Sequence, residues 1–248
     1  MQLYYYEPNE NIRNATSVEM SKVGLKPCSV EEDFFEKDLS VLGKDGMTTK
    51  GILISDGPRT LEFVKEIRAA GCLNPVIVVL DMKNSNRTAE LINNGADDTV
   101  YRPFKGIEIL ARVNGINRRS YGHVSSSVTI GDIVAYFDGR DPEVEGRRLK
   151  LSHREHAIFS HLALQHGRVI SKENLYEAVY GMLDNQPFDK VIDVYICKLR
   201  KKIEVATGGK QYIETVYGRG YKLSAPDSEG KDAITAALEN MSSDCEAA

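Results

Sequence analysis

A lysine-rich helical segment is the clearest place for binding chemistry in this sequence. Over residues 189–205, Ile192, Ile196, Leu199 and Ile203 recur at helical spacing, which predicts a helix with one narrow apolar face. The broad opposite face carries Lys190, Val191, Val194, Lys198 and Lys201, with Tyr195 and Lys202 at its edge. Ammonium groups bind phosphates and guanine acceptors, and valine methyls contact thymine methyls, so this face suits a DNA major groove. The helix alone leaves a second interpretation open, a solvated cationic face with no partner.

Arg219 favours the DNA interpretation. It stands between Gly218 and Gly220, where the strand-like segments 212–216 and 221–224 meet in a predicted hairpin. An arginine at such a tip can enter a minor groove. A basic helix and a basic hairpin together are typical of a nucleic-acid-binding domain.

Charged side chains also follow the strand-like runs of the first half. Apolar runs at 3–6, 51–55, 75–80 and 99–101 alternate with helical stretches, which predicts a parallel sheet covered on both faces. In such sheets the ligand site lies at the carboxyl ends of the strands. The residues expected around that crevice are Glu7, Pro8, Asp56, Leu80, Asp81, Arg102 and Pro103.

The second half has a different order of elements. A predicted helix over 107–119 is followed by a short polar segment with Gly and Ser, which indicates a linker. Strand-like segments at 128–137 and 143–145 come next, and then Ser152 with Glu155 forms a capping-box pattern that begins a helix. Two further helices, over 171–179 and 189–205, precede the hairpin. Strands, three helices and a hairpin are the order of a winged helix-turn-helix.

Composition excludes several classes of protein. The 248 residues carry a net charge of −4, but residues 120–225 hold 15 basic against 13 acidic side chains, so positive charge is local. No apolar run approaches the ~18 residues of a membrane span, and the N-terminus lacks a secretory signal. The four cysteines lie far apart, which favours reduced thiols in a cytoplasmic protein. His153, His156 and His161 share one helix without a completing ligand, so we predict no metal site.

Residues 128–225 resemble the effector domain of OmpR/PhoB-type response regulators. The matching segments are 149–155 before the first helix, 191–202 on the third helix and 212–221 around the hairpin. The resemblance implies that the major groove is approached by Val191, Val194, Tyr195, Lys198, Arg200, Lys201 and Lys202, and the minor groove by Arg219. It also implies that the loop 180–187 can contact RNA polymerase.

The first half resembles the receiver domain of the same family. A working receiver needs a phosphoacceptor Asp, a carboxylate pair for Mg²⁺, a Thr or Ser, and a Lys. Asp56 falls at the acceptor position and Glu7 at the first acidic position, whereas Pro8, Leu80 and Arg102 replace the second acid, the hydroxyl residue and the lysine. Because Mg²⁺ requires oxygen ligands, we predict a degenerate site in which Arg102 pairs directly with Asp56.

A receiver that is not phosphorylated can still serve as a dimerisation domain. By the same resemblance, Asp97, Asp98, Arg112 and Arg119 stand where the family forms ion pairs between subunits. Exposed ion pairs contribute about 0–1 kcal/mol each, so they would set the register of the dimer more than its affinity.

The sequence therefore predicts an α/β protein with a receiver-like, doubly wound parallel sheet followed by a winged helix-turn-helix domain. The expected divisions are a receiver-like domain at 1–119, a linker at 120–127, the winged helix at 128–225 and a disordered acidic tail at 226–248. We expect a cytoplasmic homodimer that binds double-stranded promoter DNA without phosphorylation, cofactor or catalytic activity. Two alternatives stay open: a conventional response regulator phosphorylated at Asp56, and an interaction module that sequesters a partner without binding DNA.

Overall fold

The computed structural model describes residues 1–37, 39, 50–180 and 188–226, with the backbone alone at 188–190. Five parallel strands form the sheet of the N-terminal half (residues 1–120), in the spatial order β2-β1-β3-β4-β5. The strands are β1 Gln2–Tyr6, β2 Lys26–Val30, β3 Gly51–Ser55, β4 Val76–Leu80 and β5 Asp98–Tyr101. β3 and β4 are buried along their whole length, as expected of Ile- and Val-rich strands covered on both faces.

Helices cover both faces of this sheet, which confirms the predicted doubly wound fold. They are α1 Glu10–Ser21, α2 Asp33–Glu36, α3 Thr60–Ala69, α4 Ser85–Asn93 and α5 Gly106–Ser120. Met20 and Val113, from α1 and α5, belong to the core on one face, and Val64 and Leu91, from α3 and α4, belong to the core on the other. The predicted strand runs are confirmed, whereas α1, β2 and α2 were not predicted.

The C-terminal half (residues 127–226) opens with a four-stranded antiparallel sheet in the order β6-β7-β8-β9. Its strands are β6 Ser127–Ile130, β7 Ile133–Tyr136, β8 Glu143–Val144 and β9 Arg147–Arg148. The elements that follow are α6 His153–Leu164, β10 Val169–Ile170, α7 Lys172–Tyr180, α8 Phe188–Ala206, β11 Ile213–Val216 and β12 Gly220–Leu223. The last two strands pair as a hairpin, with β10 against β12, which confirms the winged helix-turn-helix.

The predicted capping box at the start of α6 is confirmed. Ser152 Oγ accepts a hydrogen bond from the Glu155 backbone, and the Glu155 carboxylate accepts one from the Ser152 backbone at 2.7 Å. α6, α7 and α8 then enclose one core with the hairpin, in which Phe159, Leu175 and Ile196 are buried.

Polar contacts tie the C-terminal half to the parts of the chain that precede it. His123, in the segment after α5, donates a hydrogen bond from Nε2 to the Leu164 carbonyl at 2.7 Å. Lys50 Nζ lies 2.8 Å from a carboxylate oxygen of Glu177 on α7, and Lys50 is only 2% exposed. Within the described ranges, no helix is long and apolar enough to cross a membrane.

Candidate DNA interface and acidic crevice

α8 separates its apolar and cationic faces as its spacing predicts. Ile192, Ile196, Leu199 and Ile203 are all buried in the core of the C-terminal half. The opposite face exposes Val194, Lys198 and Lys201, while Val191 is half-buried. The side chain of Lys190 lies outside the described residues. A strip of methyl and ammonium groups therefore faces solvent along the helix.

Tyr195, at the edge of this face, is fixed by side chains from two other helices. Arg154 on α6 donates a hydrogen bond to the Tyr195 hydroxyl at 2.9 Å, and its guanidinium lies 5.0 Å from the ring centre of Tyr180. Tyr180, at the end of α7, also donates to the Tyr195 hydroxyl at 3.4 Å. These hydrogen bonds lower the pKa of Tyr195, since both stabilise its phenolate form. The ring is thus positioned before any ligand arrives.

Two more of the predicted DNA contacts bond within the molecule instead of projecting freely. Arg200 donates to the Ile213 carbonyl at 2.8 Å and to Thr215 Oγ1 at 2.7 Å, both on β11. Lys202 donates to the Glu155 carboxylate at 2.7 Å and to the Lys150 carbonyl at 3.0 Å. These two side chains connect α8 to the hairpin and to the start of α6.

Asp193 is a structural residue of this interface that the sequence reasoning missed. Its carboxylate accepts hydrogen bonds from Tyr221 on β12 at 2.5 Å and from Lys172 on α7 at 3.0 Å. Burial would raise the pKa of Asp193, but these two donors hold it below its usual value. An aspartate facing a lysine and a tyrosine from different elements could not be identified before the elements were placed together.

The hairpin tip presents Arg219 and Tyr217 to solvent, with Tyr217 91% exposed. Neither side chain has a hydrogen bond or ion pair with any residue that the structure describes. Gly220, with φ +135°, allows the tip to pass close to β10: a Cβ at this position would lie 1.9 Å from the Ile170 carbonyl oxygen. The tip is thereby set close to the start of α7.

The carboxyl ends of β1, β3, β4 and β5 form an acidic crevice containing Glu7, Asp56 and Asp81. Glu7 is 4% exposed and accepts hydrogen bonds from the Asn9 backbone at 2.9 Å and from Ser55 Oγ at 2.6 Å. Arg102 pairs with Glu7 through one nitrogen and with Asp81 through another, at 2.6 Å. Burial would lower the pKa of Arg102, but the hydrogen bond to Asp81 and the negative charge of Glu7 raise it.

The expected pairing of Arg102 with Asp56 is wrong. Asp56 is bonded instead to Arg87 on α4, whose Nε lies 3.2 Å from both carboxylate oxygens and whose Nη2 lies 2.7 Å from one of them. Asn84 caps α4 and places Arg87 in its first turn, beside the carboxyl edge of the sheet. That cap was the sequence signal that could have indicated Arg87. The two guanidinium groups thus divide the three carboxylates of the crevice between them.

Leu80, the last of the receiver positions, and Thr99 on the neighbouring strand add no free polar group to the crevice. Leu80 is buried at the end of β4, so it presents no polar atom from its side chain to the crevice. Thr99 is buried on β5, and its hydroxyl lies 3.4 Å from Thr88 Oγ1, which is itself 2.8 Å from the Tyr101 hydroxyl. This chain of hydroxyl contacts fastens α4 to β5.

Comparison with known proteins identifies the family. Residues 146–223 match the family described as "Transcriptional regulatory protein, C terminal". The cell cycle response regulator CtrA of Brucella anthropi is 38% identical to this chain over 172 residues, which cover 69% of this chain and 74% of CtrA. CtrA of Brucella ovis matches with the same identity and coverage. The chain belongs to the OmpR/PhoB-type response regulators.

Two solved structures are similar to this response regulator. The OmpR/PhoB homologue DrrB of Thermotoga maritima is 23% identical, with 90% of this chain and 99% of DrrB covered and a TM-score of 0.38. The DNA-binding domain of CpxR from E. coli is 29% identical, with 42% of this chain and all of that domain covered and a TM-score of 0.37.

Membership confirms the predicted class of function, a DNA-binding response regulator of two-component systems that regulates transcription. It also confirms a resemblance to CtrA that the sequence carries in residues 180–184 and 192–202. Residues 181–187 and 227–248, which include most of the predicted polymerase-contacting loop and the acidic tail, lie outside the described residues.

The predicted dimer residues of this response regulator lie on β5, α5 and the turn before β5. Asp97 accepts hydrogen bonds from Arg68 at 2.6 Å and from the Val76 backbone at 2.7 Å. Asp98 pairs with Arg112 at 2.5 Å, and Arg119 is exposed. Three of the four are therefore bonded within one chain.

Proposed function

We propose that this response regulator binds promoter DNA sequence-specifically and does so without phosphorylation. The observation that carries the proposal is the pairing in the acidic crevice, where Arg87 bonds both oxygens of Asp56 and Arg102 bonds Glu7. Paired guanidinium and carboxylate groups are geometrically specific, and the pair to the buried Glu7 is the costlier of the two to break. They supply positive charge where a metal ion would otherwise bring it, so each of the three carboxylates of the crevice already has a guanidinium partner.

The crevice residues do not fit a Mg²⁺ ion. Magnesium demands octahedral oxygen ligands and is bound through carboxylates together with phosphate. Here Pro8 replaces one acid, the Glu7 carboxylate is bonded to Arg102, and Asp56 is bonded to Arg87. Leu80 also lacks the hydroxyl that would bind a phosphoryl oxygen. Phosphotransfer would have to break two ion pairs without the groups that normally compensate for that loss.

We assign the major groove to the exposed face of α8 and the minor groove to Arg219. Exposure of Val194, Lys198 and Lys201 supports the first assignment, and the glycine-flanked, solvent-facing tip supports the second. Val191 and the fixed ring of Tyr195 complete the base-facing strip in this proposal. The residues placed at its margins are Lys190, Arg200 and Lys202.

We further propose a homodimer that binds two half-sites through the face formed by α5 and β5. The apolar contribution would come from Ile107, which is 59% exposed. Asp97, Asp98, Arg112 and Arg119 would exchange pairs with a second copy at this face. Replacing an ion pair within one copy by an ion pair between two copies changes the affinity of the dimer little. Such residues are therefore suited to setting the register of the dimer.

The remaining assignments follow from this function. Residues 1–119 act as the receiver-like dimerisation domain, 120–127 as the linker and 128–225 as the DNA-binding domain, while 226–248 form an acidic tail. The loop 180–187 is assigned to contact with RNA polymerase. Because the protein acts on promoter DNA in this proposal, we place it in the cytoplasm.

The decisive experiment measures DNA affinity against phosphorylation. A bound sequence is first selected from random duplexes, and binding is then followed by fluorescence anisotropy with the full chain, the chain with acetyl phosphate and Mg²⁺, and Asp56→Asn. Equal affinities in all three samples are expected. The variant Arg87→Gln is the matched control, because it frees the Asp56 carboxylate without changing the acceptor.

Two results would overturn the proposal in different ways. Tightening by the phosphodonor that is lost in Asp56→Asn would make this a conventional phosphorylated regulator. If the chain shows no preference for any DNA sequence, the alternative function is favoured, in which it sequesters a partner without binding DNA. Sedimentation with one and two half-sites tests the dimer separately, and a single copy on both duplexes would contradict it.

A further inference from the structure

A cavity of about 480 Å³ lies between the two halves of the chain, away from the acidic crevice. Its walls come from α5 and the starts of β1 and β2 on one side, and from α6, α7 and the end of β7 on the other. The Lys50–Glu177 pair joins the halves through one of the cavity-lining residues. Ligand sites are commonly of this size and often lie between domains.

The cavity contains a buried amide without a partner. Asn117 on α5 is 3% exposed, and neither its Oδ1 nor its Nδ2 has a hydrogen-bond partner within the described part of the chain. Gln2 Oε1, at the same cavity, is likewise buried and unpaired there. Leaving a buried polar atom without a hydrogen bond is costly, so these atoms favour a ligand that pairs with them. A donor and an acceptor side by side match a purine edge, as asparagine does with adenine.

Basic side chains from both halves meet at the same cavity. Lys26, His153 and Arg154 line it, and the Lys26 ammonium has no ion pair with any described residue. The two acids in the lining are already engaged, Asp138 with Arg140 and Glu177 with Lys50. Burial lowers the pKa of His153, and nearby cations, Lys26 and Arg154 among them, lower it further. The positive charge that favours an anionic ligand therefore comes from Lys26 and Arg154, while His153 offers a ring nitrogen for hydrogen bonding.

Apolar and aromatic side chains complete the lining. Val23, Leu110 and Val179 present carbon surface, and Phe137 adds an aromatic ring. Aromatic rings and carbon surface accept the face of a base, while ammonium groups accept phosphate. Base edge, base face and phosphate therefore each have a complementary group in one cavity.

We propose that this cavity binds a purine mononucleotide, with the base edge at Asn117 and the phosphate at Lys26 and His153. Arg154 then links the ligand to the DNA interface, because the same guanidinium bonds the Tyr195 hydroxyl on α8. This second part rests on the proposed function. A bound nucleotide would thus replace phosphorylation as the signal that reaches the recognition helix.

The test is isothermal titration of the full chain, without DNA, using AMP and GMP, with adenosine, guanosine and inorganic phosphate as separate arms. One mononucleotide is expected to bind at least about tenfold more tightly than its nucleoside or phosphate alone. Asn117→Leu and Lys26→Gln should each weaken binding by about tenfold, whereas Lys65→Gln, an exposed lysine outside the cavity, should not change it. Thermal unfolding confirms that each variant is folded.

The proposal is overturned if neither nucleotide binds at 1 mM, or if Lys26→Gln and Asn117→Leu bind as tightly as the parent chain. The titration is done without DNA, so its result does not depend on whether the proposed DNA-binding function is correct. The link to α8 is tested by repeating the anisotropy titration with the nucleotide present. A shift in DNA affinity that disappears in Arg154→Gln is expected, and an unchanged affinity in the parent chain contradicts the link.

Discussion

At the scale of single residues, the crevice uses arginines in two different environments. Arg102 bonds Glu7, which is almost fully buried, while Arg87 bonds Asp56, whose side chain keeps 23% of its exposure. A buried carboxylate that loses its partner is far more costly than an exposed one, because water cannot replace the lost charge. The two pairs therefore contribute unequally to folding.

Removal of Arg102 should accordingly destabilise the N-terminal half more than removal of Arg87. Arg102→Leu is expected to lower the free energy of unfolding by about 3–5 kcal/mol, the usual effect of leaving one buried charge unpaired. Arg87→Leu should cost about 1 kcal/mol or less, as for a partly exposed pair. Urea unfolding of both variants measures the difference, and equal losses would contradict this account.

The proposed DNA contacts can be tested one residue at a time. Lys198→Ala and Arg219→Ala should each weaken specific DNA binding by about 1–3 kcal/mol, the typical effect of losing one base-reading side chain. Lys210→Ala removes an exposed lysine that pairs with Asp132 and is the matched control. Anisotropy titrations at one salt concentration provide the comparison. If all three variants bind like the parent chain, the groove assignment is wrong.

The sequence was enough to predict those crevice residues whose place follows directly from the end of a strand. Glu7, Asp56 and Arg102 follow strand ends, and parallel strands bring their carboxyl ends to one edge. The error lay in the partner of Asp56, because Arg87 belongs to a helix and reaches the crevice only after α4 has packed on the sheet. Side chains that bond across elements depend on packing angles, which a linear pattern does not contain.

At the scale of elements, predictions held where burial is strong and failed where it is weak. The all-buried β3 and β4, and α6 with its capping box, were predicted from the sequence. α1 buries only Met20, and β2 is an edge strand containing Pro27, so neither carries a clear apolar pattern. The missed elements are those in which tertiary contacts, and not periodicity, decide the conformation.

The wing offers an element-scale prediction through its glycines. Gly220→Ala would place a Cβ 1.9 Å from the Ile170 carbonyl oxygen, so β12 would have to separate from β10. We expect a loss of several kcal/mol, or failure of the C-terminal half to fold, since no flexible side chain can move aside. Gly218→Ala faces open space at φ +71° and should cost about 1–2 kcal/mol. Comparable unfolding midpoints for the two variants would refute this explanation.

At the scale of the whole molecule, charge is distributed unevenly along the chain. The net charge of −4 coexists with a cationic α8 and an acidic C-terminal segment, so the sum does not reveal the sign of the interface. The sequence predicted this division because charges can be counted by segment. It could not predict the Lys50–Glu177 contact between the halves, which joins residues 127 positions apart.

Stability of the molecule should also depend on pH through His161. Burial lowers the pKa of His161 to about 4 from its ordinary 6.5. As pH falls below 6.5 the unfolded chain takes up a proton that the folded chain refuses, so stability present above 6.5 is lost down to about 4. The parent chain should lose about 2 kcal/mol more than His161→Gln between pH 7.5 and 5.

Urea unfolding at several pH values checks this expectation for His161. His166→Gln, at an exposed position, is the control and should follow the parent profile. If the free energies of unfolding of the parent and of His161→Gln fall by the same amount with pH, His161 takes up its proton in the folded state and the prediction is wrong.

The bonds from Asp193 and Arg200 to the hairpin have a consequence for how DNA sequences are distinguished. They hold α8 and the hairpin that carries Arg219 at one separation. In the proposed complex, a duplex can contact both only where its twist and minor-groove width bring the two grooves to that separation. Base pairs between the contacts then affect affinity through duplex stiffness, although no side chain reaches them.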